Sequence, residues 1–162
     1  MRSQESASEV DGETLGQTAI FEGLPSDVLS ELARLFWRES YPLGSTIFSE
    51  GDPADRAFLL REGSVTLSVA PSSLPEPLDT TVLVPPRSGQ AFGWSSALGT
   101  GRHSVTAVAT TAVRVLAADP GALLAYLDRH PVTGYTVMRR LARVLSHRLA
   151  IMRSLALATV CD

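Results

Sequence analysis

The stretch "FGWSSALGTGRHSVTAVA", residues 92–109, holds residues whose types and order could grip an anion. Gly93 lets a backbone approach closely. Trp94, Ser95, Ser96, Ala97 and Leu98 can form one helical turn with free N–H groups at its start, and such groups attract negative charge. After a Gly-rich loop, Arg102, His103 and Ser104 offer a guanidinium, an imidazole and a hydroxyl. Val105, Ala107 and Ala109 then alternate as the inward face of a strand. Strand, glycine, helical turn, Gly-rich loop, strand is the layout of an anion cradle.

Other chemistry is poorly supported. His103, His130 and His147 are far apart in sequence and no cysteine lies near them, so no metal spacing is present. Ser95 and Ser96 follow a glycine, but there is no Gly-x-Ser-x-Gly, and no acid within the stretch to orient a base. No P-loop or dinucleotide fingerprint occurs. The chain reads as a non-enzyme. Arg148 joins the candidate ligand residues from far along the chain. It stands among apolar positions of a helix, where a lone cation is costly unless something anionic meets it.

The elements that must position these residues change texture along the 162-residue chain. Residues 1–16 are Ser-, Glu- and Gly-rich and read as a disordered acidic tail. Residues 17–36 read as a first helix, with Ser26 as its cap and Val28, Leu29, Leu32, Leu35 and Phe36 at helical spacing. From 37 to 118, short runs of Val, Thr, Leu and Phe are punctuated by Gly and Pro turns. Strands are expected near 37–41, 46–49, 57–61, 64–69, 80–85, 90–92, 104–109 and 112–117. "APSSLPEPLD" is a surface loop between the fourth and fifth.

Eight such strands fit a jelly roll. The fold class is therefore mainly β with flanking helices: an eight-stranded jelly-roll barrel, an N-terminal helix and two C-terminal helices over 119–158. Residues 159–162 are a short tail. The second C-terminal helix is about 25 residues, or ~38 Å, which is longer than a barrel lid needs. Met138, Ala142, Leu145, Leu149, Met152 and Ala156 form an apolar stripe, widened by Val137, Leu141, Val144, Ile151 and Leu155. Part of it is read as packing on the barrel and part on the same helix of a second copy, giving a homodimer. The alternative is that all of it covers the barrel.

Charge is uneven. Net charge is −3, and all fourteen basic residues are Arg. Residues 1–31 carry seven acids and one Arg, while 129–153 carry six Arg and no acid. Either face can meet a protein partner or stay solvated. The balance gives no general case for nucleic acid. The single cysteine, Cys161, needs no oxidising compartment. No apolar run reaches ~18 residues and no secretory signal opens the chain, so the expected location is the cytoplasm, without a membrane span.

Four segments together resemble the cyclic nucleotide-binding domain of the cyclic-AMP receptor protein family, over roughly 20–158. They are "FEGLPSDVLSELARLF", "LGSTIFSEGDPADRAFLLREGSVTLSV", "GQAFGWSSALGTGRHSVTAVA" and "VRVLAADPGALLAYLDRHP" followed by the long helix. The resemblance implies a ligand pocket under a phosphate-binding cassette and dimerisation along the long helix. In DNA-binding relatives a winged helix-turn-helix follows that helix. Here only a few residues do, so no direct nucleic-acid contact is expected.

Against that family the charged grips are altered. The phosphate-binding Arg falls on His103, and Arg102 is one residue early, on the opposite strand face. A neutral imidazole is a poor permanent anion clamp. The ribose carboxylate falls on Trp94, and no Asp or Glu occurs from 80 to 118. Losing both contacts costs ~3–6 kcal/mol, or about two to four decades of affinity. Two expectations stay open. A sensor would hold a non-standard small anion or a cyclic nucleotide on Gly93–Ser96, Arg102, His103, Ser104 and Arg148. A ligandless interaction module would have Trp94 plugging the pocket rather than lining it.

Overall fold

A computed structural model describes residues 9–69, 82–84 and 90–160, with the side chains of 82–84, 95, 96, 156, 159 and 160 excepted. The described residues form two four-stranded antiparallel sheets. The first holds β1 (Phe36–Tyr41), β3 (Ala57–Glu62), β6 (Gln90–Phe92) and β8 (Val113–Ala118), in the order β1-β8-β3-β6. The second holds β2 (Thr46–Phe48), β4 (Val65–Ser68), β5 (Val82–Val84) and β7 (Thr106–Ala109), in the order β2-β7-β4-β5. This wrapping between sheets is the jelly-roll order, and the expected strands lie within two residues of those observed. The loop expected at "APSSLPEPLD" lies outside the described residues.

Alternation sets which side chains meet. Val113, Val115 and Ala117 face the second sheet, while Leu116 and Ala118 face the helices. Gly63 turns the β3–β4 hairpin with φ of 89°. A Cβ there would stand 2.2 Å from the Ala112 carbonyl oxygen, so the turn admits only glycine.

The N-terminal region differs from expectation. Residues 9–16 are not a tail: α1 (Gly12–Gly16) is capped by the Asp11 carboxylate, which accepts from Thr14 N at 2.7 Å. Val10 and Leu15 are buried. Two apolar side chains are enough because the helix lies close on the next one, where a Cβ on Gly12 would sit 3.0 Å from Ser30 N. The first 8 residues lie outside the description. The helix expected over 17–36 is shorter, α2 (Ser26–Ala33), and Pro25 rather than Ser26 occupies its cap position without a side-chain bond. Phe36 keeps the helical spacing but opens β1, because strand pairing with Ala118 takes over there.

At the other end, Asp119 caps α4 (Pro120–Arg129) by accepting from Ala122 N at 2.7 Å. Pro131 opens α5 (Pro131–Val160), a 30-residue helix about 45 Å long. It runs through residues 159 and 160, expected as tail. Val137 and Leu141 are buried beneath it; further along, Leu149, Ile151, Leu155 and Leu157 are exposed.

Two apolar cores result. One lies between the first sheet and the helices and includes Phe21, Leu32, Phe36, Trp94, Leu123 and Val137. The other lies between the sheets and includes Phe48, Phe58, Phe92, Val65 and Val115.

Candidate functional site

The predicted cradle is built where the two cores meet. β6 ends at Phe92, and Gly93 takes the left-handed conformation with φ of 75°. A Cβ there would lie 3.1 Å from Phe58 Cδ2, so glycine lets the chain cross the phenylalanine closely. The single turn α3 (Trp94–Leu98) follows. Ser95 and Ser96 lie in that turn; their side chains are among those not described.

Trp94 takes a place that neither expectation gave it. It is 1% exposed and belongs to the helix-side core, where its ring lies 6.1 Å from that of Phe21. Its indole Nε1 donates to the Phe58 carbonyl at 2.8 Å, which satisfies the one polar atom it buries. It therefore neither plugs nor lines the space between the sheets. Sequence spacing cannot reveal this, because a one-turn helix can send its first side chain to either side of the sheet.

Residues 101–103 are zipped to the β2–β3 loop. Gly51 N donates to the His103 carbonyl at 2.8 Å, His103 N to the Asp52 carbonyl at 2.9 Å, and Ala54 N to the Gly101 carbonyl at 2.9 Å. The exposed Arg102 guanidinium donates to the Gly51 carbonyl at 2.8 Å, reinforcing the ladder from outside. Neighbouring residues on extended chain face opposite ways, so His103 turns inward. It is 3% exposed and stacks on Phe48 with centroids 3.6 Å apart and rings 8° from parallel. Burial, with Arg56 adding to it, holds the imidazole below its ordinary titration range against the pull of Asp55 and Asp52. Among the described residues its buried Nδ1 has no hydrogen-bond partner. Ser104, the next residue, is exposed.

Beyond Phe48 the inter-sheet space holds a stack of rings. Phe58 and Phe92 are 5.0 Å apart and 9° from parallel, and Phe48 lies 5.8 Å from one and 6.2 Å from the other. A carboxylate and a guanidinium do converge nearby, but from β1 and the β2–β3 loop and not from the cassette. Glu39 on β1 accepts from Arg56 Nη1 at 2.9 Å and 3.0 Å through its two oxygens, from Trp37 Nε1 at 2.7 Å, and from the Tyr41 hydroxyl. Burial pushes the Glu39 carboxyl up, but those donors outweigh it and hold it below the usual range. Burial likewise opposes the Arg56 charge and Glu39 more than restores it. These two charges thus meet each other, and Arg56 Nε also donates to the exposed Asp55 at 3.3 Å. The signal for Glu39 was present in "FWRESY": Trp37, Glu39 and Tyr41 alternate on one strand face, with an acid among aromatics.

Arg148 does not reach the cradle's inner side. Its half-buried guanidinium donates to the Ala91 carbonyl on β6, the edge strand of the first sheet. Burial alone pushes it down to about 10. The expected need for an anion is met by a backbone carbonyl. Nearby along α5, Arg140 donates to the Ile20 and Glu22 carbonyls at 2.9 Å and 2.7 Å. No group of metal-ligating side chains occurs among the described residues. Among them, too, no helix is long and apolar enough to cross a membrane.

The jelly-roll order and the strand–turn–strand cradle define a class of small sensory domains. The chain belongs to the cyclic nucleotide-binding domain family, whose model matches residues 38–130. It is 31% identical over 137 residues to Glutaminase 1 of Bradyrhizobium diazoefficiens, covering 85% of this chain and 21% of that protein. It is 28% identical over 137 residues to the CRP-like cAMP-activated global transcriptional regulator of Mycobacterium tuberculosis, covering 85% of this chain and 58% of that one. The chain thus spans well under two thirds of either curated relative. A solved cyclic nucleotide-binding domain from Methylobacillus flagellatus superimposes with a TM-score of 0.79 over 98% of this chain and 89% of that one. At 19% identity that likeness is one of fold alone.

Proposed function

We propose that this chain is a non-enzymatic regulatory module of its family whose inter-sheet space is filled by its own side chains, so that no cyclic nucleotide is held by charged grips. The observation that supports this is His103, the position of the family's phosphate arginine, lying flat and uncharged on Phe48. Arg102 points away to Gly51, Arg148 is bonded to Ala91, and Glu39 is bonded to Arg56. The filling differs from the expected one, since phenylalanines and His103 provide it in place of Trp94. Output runs through α5 to a second copy or to a protein partner, in keeping with the exposed Leu149, Leu155 and Leu157. We take the cytoplasm as its location and no direct nucleic-acid contact as its mode.

A second reading, a sensor for another small anionic ligand, is favoured by one observation. Nδ1 of His103 is buried without a partner, and a ligand atom would satisfy it. Isothermal titration with cyclic AMP, cyclic GMP and inorganic phosphate separates the two. The expected result is no saturable heat with any of them. Saturable heat with phosphate alone selects the second reading, and with either cyclic nucleotide it overturns the first.

A further inference from the structure

We propose that His103 makes the contact between the cassette and the β2–β3 loop a proton-operated latch, closed at neutral pH and released on acidification. The inference extends the reading above by giving the module an input, a proton, that needs no bound molecule.

Three features of the geometry carry it. First, in the ladder joining 51–54 to 101–103, His103 bonds to the loop through both its N–H and its carbonyl. Movement of this residue therefore breaks two of the three backbone bonds. Second, the His103 ring is held by stacking on Phe48 inside an apolar space. A neutral imidazole suits that space, and an imidazolium does not. Third, protonation puts N–H groups on both ring nitrogens, and Nδ1 has no acceptor where it is buried.

The charged groups around the ring all come from the β2–β3 loop. Asp52 and Asp55 favour the proton, and Arg56, the last residue before β3, opposes it. Arg56 is anchored to Glu39 on β1 and cannot easily withdraw. If the ring swings out, the imidazolium gains the two aspartates and leaves Arg56. The loop that closes the latch thus also supplies the charge that would receive the released side chain. The sign follows from burial. The folded state disfavours the protonated form, so the latch is complete above the range of a free imidazole and weakens as pH falls below it.

Amide hydrogen exchange on the intact chain tests this, with rates corrected for the intrinsic effect of pH. Between pH 7.5 and 5, protection at the Gly51, Ala54 and His103 amides should fall, by up to about thirtyfold at pH 5, the limit set by how far that pH lies below a free imidazole's ordinary value of about 6.5. Amides of the central pair β3 and β8 should keep theirs. His103→Phe keeps a ring on Phe48 without a proton site, and its ladder protection should not change across that range. Protection in the native chain that does not vary with pH, or an equal fall in His103→Phe, overturns the latch. If that variant does not fold, titration of the native His103 ring protons by NMR decides. A midpoint at or above that of a free imidazole overturns the proposal, and one below it supports it. Nucleotide titration leaves this result untouched, so the two proposals fail separately.

Discussion

The two cores of this domain are built on opposite principles. The helix-side core is mostly apolar; its largest member, Trp94, hides its indole N–H on the Phe58 carbonyl, and Tyr126 at its margin donates to Glu31. The inter-sheet core is a stack of phenylalanines bounded by charged and titratable groups: Glu39, Arg56 and His103. The first core gains mainly from burial, with a titratable contact only at its margin, where Tyr126 meets Glu31. The second depends on protonation states and on every partner being present. One side of the first sheet holds the molecule together, and the other can be perturbed by small changes in its surroundings.

Three substitutions test that contrast. The largest effect should come from Trp94→Ala, which opens a cavity in the helix-side core and should cost ~3–5 kcal/mol in urea denaturation, with little dependence on pH. A loss under about 1 kcal/mol would show that the two cores are not distinct in this way.

Next is Glu39→Leu, which takes the buried carboxylate from Arg56 and leaves it only the exposed Asp55 at 3.3 Å, and should cost about 3 kcal/mol near neutral pH. Here the pH dependence should be strong. The folded carboxyl titrates below its ordinary value of 4.5, so its contribution is complete above that value and is lost as pH falls through the folded one. The native chain should therefore lose stability on the acid side more steeply than the variant. Parallel curves would assign Glu39 no special role.

The smallest is Arg102→Ala. It removes one exposed hydrogen bond to the Gly51 carbonyl and should cost about 0.5–1.5 kcal/mol or less. Its mark should be local, as faster exchange at Gly51 and Ala54. A large global loss would mean that the cassette ladder supports the whole fold.

The strands were readable because each is short, rich in β-branched residues and bounded by a glycine or proline turn. "SVTLSV" shows this well, since Val65 and Leu67 pair inward with Ala109 and Ala107. The parity argument at the cassette was also readable: His103 faces inward and Arg102 outward, as neighbours on extended chain must. Three things were not readable. α1 is hidden in a polar stretch because it buries only Leu15, with Val10 buried just ahead of it, too few for a periodic signal. The side of the sheet that Trp94 serves depends on tertiary contact with Phe21. The Glu39–Arg56 pair joins positions 17 residues apart, and its partners were sought only within the cassette, where no acid occurs.

The contact between Arg148 and Ala91 has a consequence for solubility. β6 is an edge strand, and a bare edge invites addition of a strand from another molecule. Here a guanidinium from the chain's own longest helix is fixed on an edge carbonyl, so a cation and its helix stand where an intruding strand would dock. The arginine that first suggested a ligand thus occupies a hydrogen-bonding position on the sheet's edge.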